Sequence, residues 1–338
     1  MAMELTRRRC LGAMAILMAA TARPARAEGR PSTRLIIDND FAGDPDGLFQ
    51  LAHHILCPSV DIALIVGSHL PPAFGGETSA ADAVAKVRAL LAATNQAGRY
   101  PLVEGASLPI GSRAQPRPSA ATAQIVREAR RAVPGQPLLY AAGASLTELA
   151  LAWLADPAIG PRVRLLWIGG PEHDGLAMPP PGPQEAEFNL ATDPIAAQVI
   201  FSESDIEIWQ VPRNVYRQML LSKAELADLA RKSPLGHHLA QQVALMEDKL
   251  ASIPAFAAMP QTEAMILGDS PLVTLSALLS PVQPDTSSSA YRILPTPHLL
   301  ADGHYRPNPG GRAMRVYTAI DVRLTIADMV ARFSAPTR

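Results

Sequence analysis

Short runs of β-branched and aliphatic residues alternate along the chain with stretches whose apolar positions recur three and four apart. Leu35-Ile36-Ile37, then residues 62–66, 137–140, 163–168 and 206–209, are apolar enough to be strands buried on both faces. Between them, residues 81–93, 120–132, 146–154 and 194–201 carry helical periodicity. This alternation predicts an α/β fold: an open, mostly parallel central sheet with helices on both faces. In such sheets ligands sit beyond the carboxyl ends of the strands, so the residues that close each strand are where chemistry is expected. The second half is more helical, at 223–231 and 237–251, and loosens across 280–289. The proline-rich stretch 178–183 lacks most backbone donors and belongs on the surface.

Composition narrows this picture. With 338 residues, 48% of them hydrophobic, the chain can bury one large core, and residues 28–338 read as a single domain. The first 27 residues do not belong to it. Arg7-Arg8-Arg9 precedes a short apolar stretch, and Ala25-Arg26-Ala27 supplies a small-x-small cleavage site, the pattern of a twin-arginine-like signal peptide. That apolar stretch is shorter than the roughly 20 residues a bilayer demands, so no membrane attachment is expected after cleavage. A periplasmic or secreted protein follows. The segment carries five arginines against one glutamate, which leaves the remainder more acidic than the formal −1 of the whole chain, and nucleic acid is excluded as a partner. Cys10 leaves with the signal, so Cys57 stands alone and is expected to be a buried small hydrophobe.

The densest chemistry lies at the end of the first strand. Asp38-Asn39-Asp40-Phe41-Ala42-Gly43-Asp44-Pro45-Asp46 places four carboxylates across a strand end, a glycine turn and a helix start. Asp38 and Asp40 share one face of the extended chain, and Asp44 precedes a proline suited to the first helical turn. Like charges this close repel, and a hard cation taking six to eight oxygens, typically Ca²⁺, removes the cost. Zinc is disfavoured because the eight histidines are scattered and neither an HExxH nor a CxxC spacing occurs. The doublets His53-His54 and His237-His238 cannot aim both rings at one ion from a helix, and read as surface or groove residues.

With its other motifs, the chain resembles the inosine-uridine-preferring nucleoside hydrolase family. The aspartate run is similar to that family's DxDxGxDD opening. Gly143-Ala144-Ser145-Leu146-Thr147-Glu148-Leu149-Ala150 resembles GPLTNLA, Ile168-Gly169-Gly170 resembles MGG, Glu187-Phe188-Asn189 with Asp193-Pro194 resembles EFNxxxDPxAA, and Gly268-Asp269-Ser270-Pro271-Leu272 resembles HDPLA. The resemblance runs from about residue 35 to 272. It implies hydrolysis of the N-glycosidic bond of a small-molecule nucleoside, with Ca²⁺ chelating the ribose hydroxyls and a water. It also implies Asp40, Asp46, Asp269 and the Thr147 carbonyl as ligands, with Asp40 as general base. Glu187 and Asn189 would hold the ribose, and Asp38 or Asp44 would support the hydroxyls or the metal shell. A homo-oligomer is compatible with the resemblance.

The family histidine before the last aspartate is Gly268 here, so the acid for the departing base is unassigned. His237, His238, Tyr216 and Trp209 are the candidates to protonate or stack on it. Two other readings stay open. A nucleoside- or sugar-binding protein that has lost the acid is suggested by Gly268 and opposed by the retained Asp40. A HAD-like phosphatase is suggested by the Asp38-x-Asp40 pair, but it leaves Asp269 and Glu187-Phe188-Asn189 unexplained.

Overall fold

The computed structural model describes residues 33–335 apart from 134, 183–184, 255–259, 261 and 280–286. The expected signal segment, residues 1–27, lies outside the described residues, as does most of 280–289. Among the described residues the strands are β1 (Thr33–Asn39), β2 (Val60–Gly67), β3 (Leu102–Glu104), β4 (Leu138–Ala142), β5 (Val163–Ile168), β6 (Glu207–Val211), β7 (Leu220–Ser222), β8 (Ala264–Ile266), β9 (Ser289–Pro295), β10 (His298–Leu299), β11 (Tyr305–Arg306) and β12 (Ala313–Ile320).

Eight of them form one sheet in the order β3-β2-β1-β4-β5-β6-β12-β9. All neighbours pair parallel except β12 and β9, which close one edge antiparallel. Because side chains alternate along a strand, Leu35 and Ile37 enter the core on one face and Ile36 the core on the other. Helices Asp46–Ile55, Ser79–Ala93 and Val322–Phe333 cover the first face; Thr122–Arg130 and Thr147–Ala155 cover the second. No helix among the described residues is long and apolar enough to cross a membrane.

The chain leaves β1 for β2 on one side and later returns at β4 on the other, so the strand order reverses at β1. A crevice opens at such a reversal, beyond the strand ends. Both flanks grip the end of β1: the Ser68 amide donates to the Asn39 carbonyl and the Gly143 amide to the Asp38 carbonyl, each at 2.9 Å.

Several expectations shift. His53 and His54 are both fully buried rather than on a surface or groove, because the helix Asp46–Ile55 is enclosed between the sheet and Val322–Phe333. His53 Nε2 meets Asp328 at 2.8 Å. The helix expected over 194–201 is Pro194–Gln198 followed by a π-helical turn, Val199–Glu203. There the Arg312 guanidinium donates to the Ile200 and Phe201 carbonyls, at 2.8 and 3.2 Å, and the Ser204 hydroxyl donates to the Ile200 carbonyl as well, at 2.7 Å. Cys57 is buried, and Met178 stands 87% exposed on its proline-rich loop.

Candidate active site

A cleft of about 410 Å³ opens at the strand reversal. Its polar end is lined by Asp40, Asp44, Asp46, Gly143, Glu187, Asn189 and Asp269, and its outer wall by Phe74, Phe188, Tyr216, Met246 and Lys249. The carboxylates arrive from three places: the end of β1, the first turn of Asp46–Ile55, and the segment after β8. Asp46 and Asp269 are tied directly, the Asp269 amide donating to Asp46 Oδ2 at 3.1 Å. Asp44 is exposed at the rim, where its carboxylate accepts the Asp46 amide at 3.1 Å. The helix begins at Asp46, with Pro45 in the capping position.

Burial and mutual repulsion set the electrostatics. Asp40 and Asp46 are held well above the ordinary carboxylate range, first by burial and then by the neighbouring charges of Asp269 and Asp44. Asp269 is pushed up to about 7 by burial, against the opposing pull of a hydrogen bond from Asn39. These are carboxyl oxygens in a partly desolvated cleft, where ionisation calls for a compensating positive charge. The set fits a hard divalent cation and offers nothing soft.

Asp38 has a different part. It is fully buried and does not line the cleft; Tyr140 donates to it at 2.6 Å and Ser68 to its other oxygen. Burial, with the nearby Glu148, pushes it up to about 7. Asp38 is therefore a buttress beneath β1.

Glu187 lies under the opposite wall. It caps the short helix Phe188–Thr192, accepting the Leu190 amide at 3.0 Å, and also takes the Gly170 amide at 2.6 Å and the Tyr216 hydroxyl at 2.8 Å. Gly170 has φ +82°, and a Cβ there would strike Tyr305 and Gln210, so only glycine presents its amide to Glu187 this way. Asn189 donates through Nδ2 to the Ile168 and Gly143 carbonyls, at 2.8 and 3.3 Å. Asp193 completes the motif as a clamp, accepting from Ala196 N, Ile110 N and Thr147 Oγ1.

Thr147 is not among the residues lining the cleft. It is the first residue of Thr147–Ala155, so its carbonyl lies in the helical ladder while its hydroxyl is spent on Asp193 at 2.7 Å. Gly143, at the end of β4, lines the cleft instead; a Cβ there would lie 2.7 Å from Asp269 Oδ1. Trp209 is also elsewhere, stacked between Arg164 and Arg315. His237 and His238 do not line the cleft, and Tyr216 does. Sequence reasoning missed Gly143, Asn39, Phe74, Phe188 and Lys249. The two phenylalanine rings stand 5.8 Å apart at the mouth.

Elsewhere among the described residues, ligand atoms of His53, Cys57 and Asp328 gather within 4.8 Å. The cleft carboxylates do not form a group that tight. The tighter group is already satisfied internally: Asp328 accepts from His53 and from Arg332 at 2.6 Å, and burial pushes the Cys57 thiol up to about 11. It is a hydrogen-bonded part of the core.

Fold and cleft together define a mostly parallel α/β protein with a carboxylate-lined cleft at the point where the strand order reverses. Residues 35–319 match the family described as inosine-uridine preferring nucleoside hydrolase, and the chain belongs to that family. It is accordingly an N-glycosyl hydrolase, which removes the phosphatase reading. Similar solved structures include a plant nucleoside hydrolase, PpNRh1 (TM-score 0.67, 19% identity, covering 90% of this chain and 100% of that one). The purine-preferring ribonucleoside hydrolase of Gardnerella vaginalis gives TM-score 0.61 at 18% identity, covering 89% and 98%. An inosine-guanosine nucleoside hydrolase gives 0.68 at 15%, covering 90% and 99%. At such identities these structures speak for the fold alone. No curated protein sequence matches the chain at a significant level.

Proposed function

We propose that this hydrolase cleaves ribonucleosides with Asp40 as general base toward the attacking water, and with a divalent cation, Ca²⁺ by the donor chemistry, held by Asp40, Asp46, Asp269 and the Gly143 carbonyl. One observation carries the reading: Asp40 and Asp46, with Asp269 from 223 residues beyond Asp46, line the same end of one cleft, where burial raises all three above the ordinary carboxylate range and the Asp269 charge raises Asp40 and Asp46 further. A bound divalent cation supplies the missing positive charge and lowers the pKa of water beside it.

The chain's own residues do the rest. Asp40 accepts the proton of the attacking water. Glu187 and Asn189, fixed from behind by backbone and by Tyr216, orient the ribose hydroxyls. The acidic floor stabilises the positive charge that develops on the sugar as the glycosidic bond opens. Phe74 and Phe188 offer an apolar surface to a planar leaving group at the mouth. Among the described residues no imidazole lines the cleft, and the Tyr216 hydroxyl is committed to Glu187, so of these residues Lys249 offers its ammonium to the departing base.

Purified protein lacking residues 1–27 should release free ribose from at least one member of a panel of purine, pyrimidine and nicotinamide ribosides. Activity should vanish on chelation, return with Ca²⁺, and be lost in Asp40→Asn. Tight binding across the panel without turnover overturns the catalytic assignment in favour of a binding protein. Export by the twin-arginine route to the periplasm or beyond remains part of the same proposal. It predicts a mature amino terminus near residue 28, and retention of the precursor in cells lacking that route.

A further inference from the structure

The helix after the aspartate run carries two residues that the reaction does not use, Gln50 and His54, both fully buried. They belong to an unbroken polar chain. Ser276 Oγ donates to the Leu272 carbonyl at 2.6 Å, and His54 Nε2 meets Ser276 Oγ at 2.8 Å. His54 Nδ1 meets Gln50 Nε2, and Asn39 Nδ2 reaches Gln50 Oε1 at 3.4 Å and Asp269 Oδ2 at 2.8 Å.

The direction of the chain follows from its ends. Ser276 gives its one hydrogen to a carbonyl, so it must accept from His54 Nε2–H, which leaves Nδ1 bare to accept from the Gln50 amide. Gln50 then turns its oxygen to Asn39, and both Asn39 N–H bonds point outward, one to Gln50 and one to Asp269. Burial pushes the His54 imidazole down to about 3, so it stays neutral and the order is not reversed. Asn39 Oδ1 is buried without a partner. Turning the amide over would face that oxygen to the Asp269 carboxylate, which is worse. Two glycines make room for this side chain: a Cβ on Gly143 would lie 2.4 Å from Asn39 Nδ2, and one on Gly47 2.8 Å from it.

We propose that Ser276, His54 and Gln50 are positioning residues that lock the Asn39 amide toward Asp269, so that Asp269 keeps one oxygen fixed and presents the other to the cleft. The inference rests on the proposed cation reading for its functional consequence. It concerns residues that touch neither substrate nor ligand, and partners of this sort orient the carboxylates that do the binding.

The test uses Gln50→Leu, His54→Leu and the conservative His54→Gln, whose amide can still accept from Gln50 and donate to Ser276. Ca²⁺ affinity by calorimetry should weaken roughly 10–100-fold in both leucine variants and return to within about 3-fold of the parent in His54→Gln. Melting temperature, read in parallel, separates this from general loss of stability. Crystal structures of the metal-free parent and Gln50→Leu should show the Asn39 amide turned and the Asp269 carboxylate rotated. Unchanged Ca²⁺ affinity in the leucine variants, or an unmoved Asn39–Asp269 pair, overturns the proposal. If His54→Leu does not fold, Gln50→Leu decides. Should the parent itself bind no Ca²⁺, the cation reading falls, and the crystal comparison still decides the positioning claim.

Discussion

The Asp269 amide donates to Asp46 Oδ2 at 3.1 Å, a bond that joins the first turn after β1 to a segment 223 residues later. It brings two acidic side chains together through a backbone hydrogen instead of a cation. Asp46→Asn should keep the bond, since the amide oxygen also accepts, yet remove a charge from the cleft. Metal-free Asp46→Asn is therefore expected to melt no lower than the parent, while its Ca²⁺ affinity falls at least 10-fold. Thermal melts with and without Ca²⁺ check both halves.

Metal-free stability should depend on pH with a definite sign. Asp38 and Asp269 sit at about 7 in the folded protein against an ordinary 3.8, because burial favours the protonated form. The folded state thus holds protons that the unfolded chain releases. Their contribution is complete below pH about 4 and is lost as pH rises through about 7, at up to about 1.4 kcal/mol per pH unit for each carboxyl. In chelator, the melting temperature should drop from pH 5 to pH 8. Saturating Ca²⁺ should flatten the Asp269 part of that slope, whereas the Asp38 part, held away from the cleft by Tyr140 and Ser68, should persist. A metal-free profile that rises across this window would contradict the burial argument.

The Tyr216 hydroxyl donates to Glu187 Oε1 at 2.8 Å, and the ring forms part of the cleft wall. Tyr216→Phe keeps the wall and removes the donor, so Glu187 is left to its backbone donors, among them the Gly170 and Leu190 amides. KM should rise several-fold with a smaller fall in kcat. Glu187→Gln, which still accepts from those amides while losing its charge, should lower kcat more strongly. Steady-state kinetics on the best nucleoside distinguishes the two patterns.

How far the sequence discloses this arrangement depends on which interactions are local. β5 was legible to the residue because its apolar run is buried on both faces and pairs parallel on both sides. β9 at the sheet edge and β12 beside it were not, since exposed positions interrupt their runs. Asp40, Asp46 and Asp269 announced themselves as acids at element ends. Thr147 was placed by its motif letters, but it opens a helix and its hydroxyl is given to Asp193, while Gly143 is the residue of this segment that lines the cleft. Phe74, Phe188 and Lys249 look like ordinary surface residues until Ser79–Ala93 and Pro234–Ala251 are packed beside the strand ends. Gln50 and His54 look like breaks in an apolar helix, and only the tertiary contact to Asn39 and Ser276 gives them partners.

Lys249 is the ammonium lining the cleft, at the end of Pro234–Ala251 and beside the aromatic mouth. If it meets the departing base, Lys249→Met should slow hydrolysis of natural nucleosides by roughly 10²-fold, the lower range for one proton donor or charge at a leaving group. An aryl riboside whose leaving group departs as a stable anion should be much less affected. Equal losses on both substrates would assign Lys249 to binding and remove it from leaving-group activation.

Gly268 stands where the family resemblance leads one to expect histidine, and the local packing explains why restoring it should fail. A Cβ at this position would lie 3.2 Å from Asp46 Oδ2 and 3.2 Å from Tyr216 Cδ2, a spacing in which a neighbour must yield by a few tenths of an ångström. Alanine can be absorbed by a small shift of the Tyr216 ring, so Gly268→Ala should cost no more than a few-fold in kcat/KM. An imidazole must displace that ring further, which breaks the bond to Glu187 and crowds Asp46. Gly268→His is therefore expected to lose at least 10-fold in kcat/KM. Tyr216→Ala in the same chain gives the imidazole room, and that double variant should recover part of the loss on natural nucleosides while the activated aryl riboside gains little. A single Gly268→His variant more active than the parent would show that the tyrosine is no obstacle, and that the cleft accepts an acid at this position without rearrangement.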